Sequence, residues 1–224
     1  MEFEKYYSSE KSAKWLLKTL ANTDKLLRKN KILYWIDGGT LLGQVRNGGM
    51  MKWDDDVDIA ILGKDINNLF RLKSEFKKLG YGMAWGVGGQ IIIKIFDLNG
   101  KTIHKPKFRT KGHTGRLEYK YPYLDIAVMN PNNRGTFRYN RQMDEFYEKK
   151  YFFKQNEMYP IKRVKFSGIL VNRPNKPIPY LDRAYGKNWD KEVYMGFYDH
   201  QREKKSKGIK TKMTPFLRKE IYTL

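Results

Sequence analysis

The chain has 224 residues and carries 45 lysines and arginines against 24 aspartates and glutamates, a formal net charge of +21, so it is long enough for one domain with a real core or a core domain plus a small appendage. Cysteine is absent, which excludes disulfides and thiolate metal sites; no apolar run reaches the roughly eighteen residues of a membrane span, and the N-terminus lacks a basic-then-apolar leader, so a cytoplasmic location is expected. The positive excess favours polyanionic partners, whether nucleic acid, nucleotides or an anionic glycopolymer, although a solvated lysine-rich surface explains it as well.

Residues 10–29 predict a helix, because Ala13, Leu16, Leu17, Leu20 and Leu27 recur near a 3.6-residue period with lysine and arginine between them. The apolar stretch Ile32–Ile36 reads as a strand running into the Gly38-Gly39 turn, and Thr40–Val45 as a short helix. Val57–Leu62 is a second strand, followed by a helix from Ile66 to about Leu79 with Asp65 as its cap. Strands are expected at 81–87, 90–96 and 123–129, a helix over 137–150, a hairpin about Ser167-Gly168, and a short helix at 180–185. The order suggests a mixed α/β or α+β domain. Residues 1–198 are expected to form that domain, and 199–224, rich in lysine and poor in apolar residues, a mobile basic tail.

The run Trp53-Asp54-Asp55-Asp56-Val57-Asp58-Ile59 puts four aspartates into five positions. Like charges so close destabilise a fold unless a cation joins them. Side chains two apart on a strand share a face, so Asp56 and Asp58 point one way while Val57, Ile59 and Ile61 point into the core. A magnesium (or manganese) ion takes hard oxygen ligands and shares its shell with substrate phosphates. Two ions about 3.5–4 Å apart can clamp an in-line displacement. A third carboxylate is therefore expected from a neighbouring strand. Asp125, the lone acid in Tyr123-Leu124-Asp125-Ile126-Ala127-Val128, is the candidate, since burying it without a cation or donors is costly. By parity Asp55 faces away and bonds backbone or a cation.

Upstream, Asp37-Gly38-Gly39-Thr40-Leu41-Leu42-Gly43 places two glycines where a backbone must approach a ligand closely. The amides of the following helix and the Thr40 hydroxyl can donate to a phosphate. Arg46, about two turns on, either grips a phosphate or pairs with Asp54 or Asp55. Trp53 either stacks on a base or sugar or belongs to the core, and Trp189 reads as packing. His104, His113 and His200 lack ligand spacing and are expected on the surface or in loops. The basic loop 101–116 reads as solvated, or as a contact for an anionic acceptor.

These residues resemble the signature of the LicD/fukutin family, which belongs to the nucleotidyltransferase-fold (DNA polymerase β-like) superfamily. The match runs over residues 32–62, with Asp125 fitting the third acid and Tyr185-Gly186-x-x-Trp189 a weaker C-terminal likeness. Lys52 departs from the proline that relatives often carry there. The resemblance implies an α+β, nucleotidyltransferase-like mixed β-sheet flanked by helices, with additional C-terminal helices. It implies transfer of a phospho-alcohol, such as phosphocholine or ribitol phosphate, from a CDP-activated donor to a sugar hydroxyl on a glycan. Asp56, Asp58 and Asp125 then hold magnesium, and Asp125 also serves as general base. Gly38, Gly39, Thr40 and Arg46 hold the donor diphosphate, with Asp54 orienting a ligand water or Arg46. The rival readings are a true nucleotidyltransferase that releases pyrophosphate and a non-catalytic polyanion- or nucleic-acid-binding protein.

Overall fold

The computed structural model describes residues 2–85, 92–103 and 119–224. Helix α1 (Glu10–Lys29) starts where the Ser9 hydroxyl accepts from the Ser12 backbone N–H, and ends with Arg28 and Lys29 on its negative pole. Its inward stripe of Ala13, Leu16, Leu17, Leu20 and Leu27 is wholly buried, as the period predicts. There follow β1 (Tyr34–Ile36), α2 (Gly38–Asn47), β2 (Met50–Met51) and β3 (Val57–Leu62). Gly48, at φ 84°, ends α2 in the left-handed conformation that suits glycine. The helix expected over 66–79 is two, α3 (Ile66–Arg71) and α4 (Lys73–Lys78), broken at Leu72, with Leu69, Leu72 and Phe76 still facing inward. Strands β4 (Tyr81–Trp85), β5 (Ile92–Thr102) and β6 (Lys120–Pro131) fall where strands were expected.

Residues 137–150 differ from the expected helix. They open as β7 (Thr136–Tyr139), and only then turn into α5 (Arg141–Phe146). The reason is the period: Phe137 and Tyr139 are buried, while Thr136 and Arg138 are less so. The chain continues through β8 (Phe152–Lys154), α6 (Gln155–Met158), the hairpin β9 (Lys162–Phe166) and β10 (Ile169–Arg173), and α7 (Ile178–Tyr185). The hairpin turns through Ser167 and Gly168, both at positive φ.

The central sheet runs β1-β3-β6-β5-β4, extended by β7 on β6 and β8 on β7. Among the described residues of this sheet only the β3–β6 pairing is parallel; the others are antiparallel. Helix α1 packs on β3 and β6. The architecture is α+β, a mixed sheet flanked by helices. Register fixes the chemistry: Asp58 on β3 lies opposite Asp125 on β6, and Asp125 lies opposite Lys94 on β5. One carboxylate, a second carboxylate and an ammonium thus stand in a row across three adjacent strands.

The segment expected as a free basic tail is instead built into the structure. After β11 (Glu192–Met195) and β12 (Tyr198–Asp199), residues 199–224 form β13 (Lys204–Lys205), β14 (Ile209–Lys212), α8 (Pro215–Lys219) and β15 (Ile221–Tyr222). β14 pairs with β11, and β15 pairs with β2. Leu217 is fully buried beside Met51, Trp53, Val193 and Met195. A few well-placed apolar residues anchor an otherwise lysine-rich stretch. Among the described residues no helix is long and apolar enough to cross a membrane.

Candidate active site

At the start of β3 the chain brings Asp56 and Asp58 to one side of the sheet, and β6 brings Asp125 beside them. One ligand oxygen from each of the three lies within 4.8 Å of the other two. Burial pushes Asp58 well above the ordinary carboxylate range, and the charges of Asp56 and Asp125 push it further. Asp54 is raised in the same way, by burial and then by Asp56 and Asp55. Asp56 is also raised by burial, but His200 pulls against that shift. A cluster that disfavours its own ionised form is one that a divalent cation relieves. The donors are hard oxygens, the set that magnesium or manganese takes, so the residues present fit such an ion.

Two cationic side chains flank the acids. Lys94 Nζ donates to both oxygens of Asp125, at 2.8 and 2.9 Å, and sits 3.6 Å from the centre of the Tyr123 ring. His200 reaches in from the β12–β13 hairpin. Its Nδ1 lies 2.6 Å from Asp55 Oδ1 and its Nε2 3.0 Å from Asp56 Oδ2, while its backbone N–H donates to Asp55 Oδ2. Burial opposes a charged ring there, but Asp56 and Asp55 outweigh it and push His200 up to about 10. From the same hairpin Glu203 accepts from the hydroxyls of Tyr119 and Tyr123, both at 2.6 Å. His200, expected on the surface or in a loop, lies in the turn between β12 and β13 but is folded in against the acid cluster; His104, His113 and most of the basic loop 101–116 lie outside the described residues. Asp55 bonds the backbone N–H and the ring of His200, but it does not face away from Asp56 as parity predicts, because the same imidazole reaches both carboxylates: Asp55 precedes β3, where strand alternation does not yet apply.

The glycine turn lies directly on the acids. A Cβ at Gly38, whose φ is +50°, would stand 2.7 Å from Asp58 Oδ2, and one at Gly39 would stand 3.3 Å from Asp54 Oδ2. The Thr40 hydroxyl accepts from the Asp58 backbone N–H at 2.8 Å, tying the first turn of α2 to β3. Asp37 is buried and does not cap α2 with its side chain. Its two oxygens instead accept from Tyr139 (2.5 Å) and Tyr180 (2.7 Å), which fasten the turn to β7 and α7.

The nucleotidyltransferase domain of the LicD/FKTN/FKRP family matches residues 31–176, a span that contains the turn and all five aspartates of the cluster. The chain belongs to the LicD family. An uncharacterized protein of Rickettsia prowazekii is 34% identical over 194 residues, 85% of this chain and 60% of that protein. The ribitol 5-phosphate transferase FKRP of Homo sapiens is 24% identical over 159 residues, 69% of this chain and 28% of that protein. The chain thus spans less than two thirds of the length of these relatives, 60% of the first and 28% of the second. A crystal structure of the lincosamide antibiotic adenylyltransferase LnuA with lincomycin bound aligns over 75% of this chain and 82% of that one, with 14% identity and a TM-score of 0.41.

In this LicD domain Arg46 does not face the acids as a phosphate clamp. It is buried, and its guanidinium donates to the carbonyls of Trp189 (2.9 Å) and Glu192 (3.1 Å), to Asn47 Oδ1 (2.9 Å) and to the Met51 sulfur (2.7 Å). Burial lowers it to about 10, although Asp54 opposes the fall. Its work is to hold α2 against the chain entering β11. Arg46→Met is expected to orphan two part-buried carbonyls, to lose the buried packing of the guanidinium, and to cost about 2–4 kcal/mol. For a chain of this size that corresponds to a fall of roughly 4–16 °C in Tm by calorimetry. Donor KM of the folded variant should stay within about twofold, whereas loss of a bidentate clamp would raise it far more. Trp53 is 8% exposed in the cluster with Leu217, and Trp189 packs on the core with its indole N–H on Asp182, so both read as packing. Lys52 pairs with Glu220 at 3.0 Å.

Proposed function

We propose that this domain transfers a phospho-alcohol from a CDP-activated donor to a hydroxyl of a glycan. The observation that carries the reading is the convergence of Asp56, Asp58 and Asp125 beside the Gly38-Gly39 turn in a LicD domain. The distant likeness to a ribitol 5-phosphate transferase favours a polyol phosphate among the donors. Asp56, Asp58 and Asp125 would hold magnesium or manganese, which when bound supplies Lewis-acid neutralisation of phosphoryl charge. The amides of the first turn of α2 bind the diphosphate of the donor, with Gly38 and Gly39 allowing its close approach. Asp54, packed behind Gly39, orients water or donor from behind the ligands.

Asp125 takes the proton of the acceptor hydroxyl. A carboxylate offers about four lone-pair sites, and Lys94 uses one on each oxygen. The remaining sites would be available to a bound ion and to the acceptor. The acceptor oxygen forms a bond to the phosphorus bearing the alcohol, the bond from that phosphorus to the bridging oxygen breaks, and the electron pair leaves on CMP. The transition state is loose, so positioning and charge neutralisation matter more than the strength of the base.

The test is a thermal-shift panel of CTP, CDP-choline, CDP-ribitol and CDP-glycerol with magnesium, followed by product analysis. A true donor at 100 times its Kd stabilises by about 2.7 kcal/mol, or roughly 5–11 °C at this chain length. CMP release from that donor is the expected product. Pyrophosphate release from CTP would favour nucleotidyl transfer instead. Metal-independent binding of nucleic acid that weakens steeply with salt, with no donor recognised, would favour the polyanion-binding reading.

A further inference from the structure

We propose that a ladder of aromatic rings beside the acids, formed by Phe146, Tyr147, Tyr151 and Tyr185, is the track on which the sugar rings of the acceptor glycan lie. The inference rests on the transferase reading, which brings a glycan hydroxyl to the acids. Phe146, the last residue of α5, is 69% exposed, more than any other large apolar side chain among the described residues. From it the ring centres step inward, 5.0 Å to Tyr147, 4.5 Å on to Tyr151 and 5.6 Å on to Tyr185. These three tyrosines are only part-buried. Behind them Tyr147 lies 5.7 Å from the ring of Tyr139, and Tyr151 5.9 Å from that of Tyr180. Tyr139 and Tyr180 are the two side chains that hold Asp37 and with it the glycine turn lying on Asp58. Tyr139 is also opposite Met129, four residues beyond Asp125 on β6, so it shares the face of the sheet that carries the acids. The ladder therefore runs from solvent to the edge of the acid cluster.

A lone exposed phenylalanine needs no explanation, but one continuous with three part-buried tyrosines next to a reactive centre does. The backbone supplies a second sign. Glu148 and Lys149, directly after Tyr147, stand at φ 51° and 60°, a costly conformation for two successive residues that are not glycine. The tight turn they make lets the chain double back from Tyr147 to Tyr151 and gathers the rings. Tyrosine offers an apolar ring face and a hydroxyl together, which suits a ligand that presents C–H and O–H groups side by side, as a sugar does. A cytosine base is the rival occupant. It is one flat ring, whereas this platform is several rings long, and its planes turn by 81°, 30° and 67° from one step to the next. Successive sugar units, each turned from the last, match that surface better than a single base.

The test is an array of neutral and anionic oligosaccharides, from single sugars to octamers, probed with the intact chain, followed by calorimetric titration of the sugar retained best. Binding is expected to strengthen with oligosaccharide length. Phe146→Ala should weaken the longer sugars by roughly three- to tenfold, the worth of one ring contact. Tyr147→Phe keeps the ring face and should bind nearly as the wild-type chain does, whereas Tyr147→Ala should lose most of the affinity. Stabilisation by CDP-ribitol or CDP-choline with magnesium should be the same in Phe146→Ala as in the wild-type chain. Retention of no sugar on the array would overturn the proposal, as would sugar binding unchanged in Phe146→Ala. Loss of CDP-donor stabilisation in Phe146→Ala would overturn it too, and would assign the rings to the base. Phe146 is exposed enough to be cut back without unfolding the chain, so it decides the matter even if Tyr147→Ala does not fold. Sugar binding that depends on Phe146 in a chain that recognises no CDP donor would uphold the sugar track and sink the transferase reading, so the two fail separately.

Discussion

Asp58→Asn should make the metal-free protein more stable while removing its activity. Asp58 is held against Gly38, among Asp54, Asp56 and Asp125, and burial followed by those charges raises it well above 3.8. Asparagine has nearly the same shape, so it keeps the packing and discards the charge. The sign of the pH dependence follows from linkage. A carboxyl raised in the folded state costs stability as pH climbs from its unfolded value towards its folded one. The advantage of Asp58→Asn is therefore absent below about pH 4 and grows above it. Relief of this kind is worth about 1–2 kcal/mol, a rise of roughly 2–8 °C in Tm. Over the same range the variant should lose Mn2+ binding and at least ~10³-fold in turnover. Scanning calorimetry at pH 4 and pH 8, with metal chelated, reads the first effect; CMP release reads the second. An unchanged turnover would remove Asp58 from the centre.

That trade between stability and activity is also why the acids were legible in the sequence. Asp56 and Asp58 two apart, hydrophobes between and after them, and paired glycines upstream are local patterns, and local geometry decides where they point. Asp125 was legible for a different reason: one charge in an apolar strand is costly unless something answers it. Lys94 carries the same mark, a lone cation within Ile91–Phe96, and matching the two lone charges across strands would have found it. His200 and Glu203 carried no such mark. They sit in a lysine-rich stretch, and their partners, Asp55, Asp56, Tyr119 and Tyr123, lie 80 or more residues away in the chain. Arg46 misled for the same reason. Its place on α2 was readable, but the carbonyls of Trp189 and Glu192 that bind it lie 143 and 146 residues away. The strand at 136–139 was overlooked because only four residues carry its alternation before α5 begins.

Gly38→Ala is expected to damage the site through a single contact. At φ +50° an alanine pays the left-handed penalty of about 1–2 kcal/mol, and its Cβ falls 2.7 Å from Asp58 Oδ2, closer than such atoms approach. The Asp58 carboxylate must swing away from Asp56 and Asp125, so Mn2+ affinity and turnover should fall at least ~10²-fold. The neighbouring Gly39→Ala is a graded control. Its φ is not in the left-handed region, and its Cβ would meet Asp54 Oδ2 at 3.3 Å, so it should cost less in both stability and turnover. A double-mutant cycle with Asp58→Ala separates backbone strain from the clash. With the carboxylate gone, Gly38→Ala should cost only the backbone term, and urea denaturation should give a coupling of about 1 kcal/mol or more. If the penalty of Gly38→Ala is the same with and without the Asp58 side chain, the glycine serves the turn alone and not the approach of α2 to the acids.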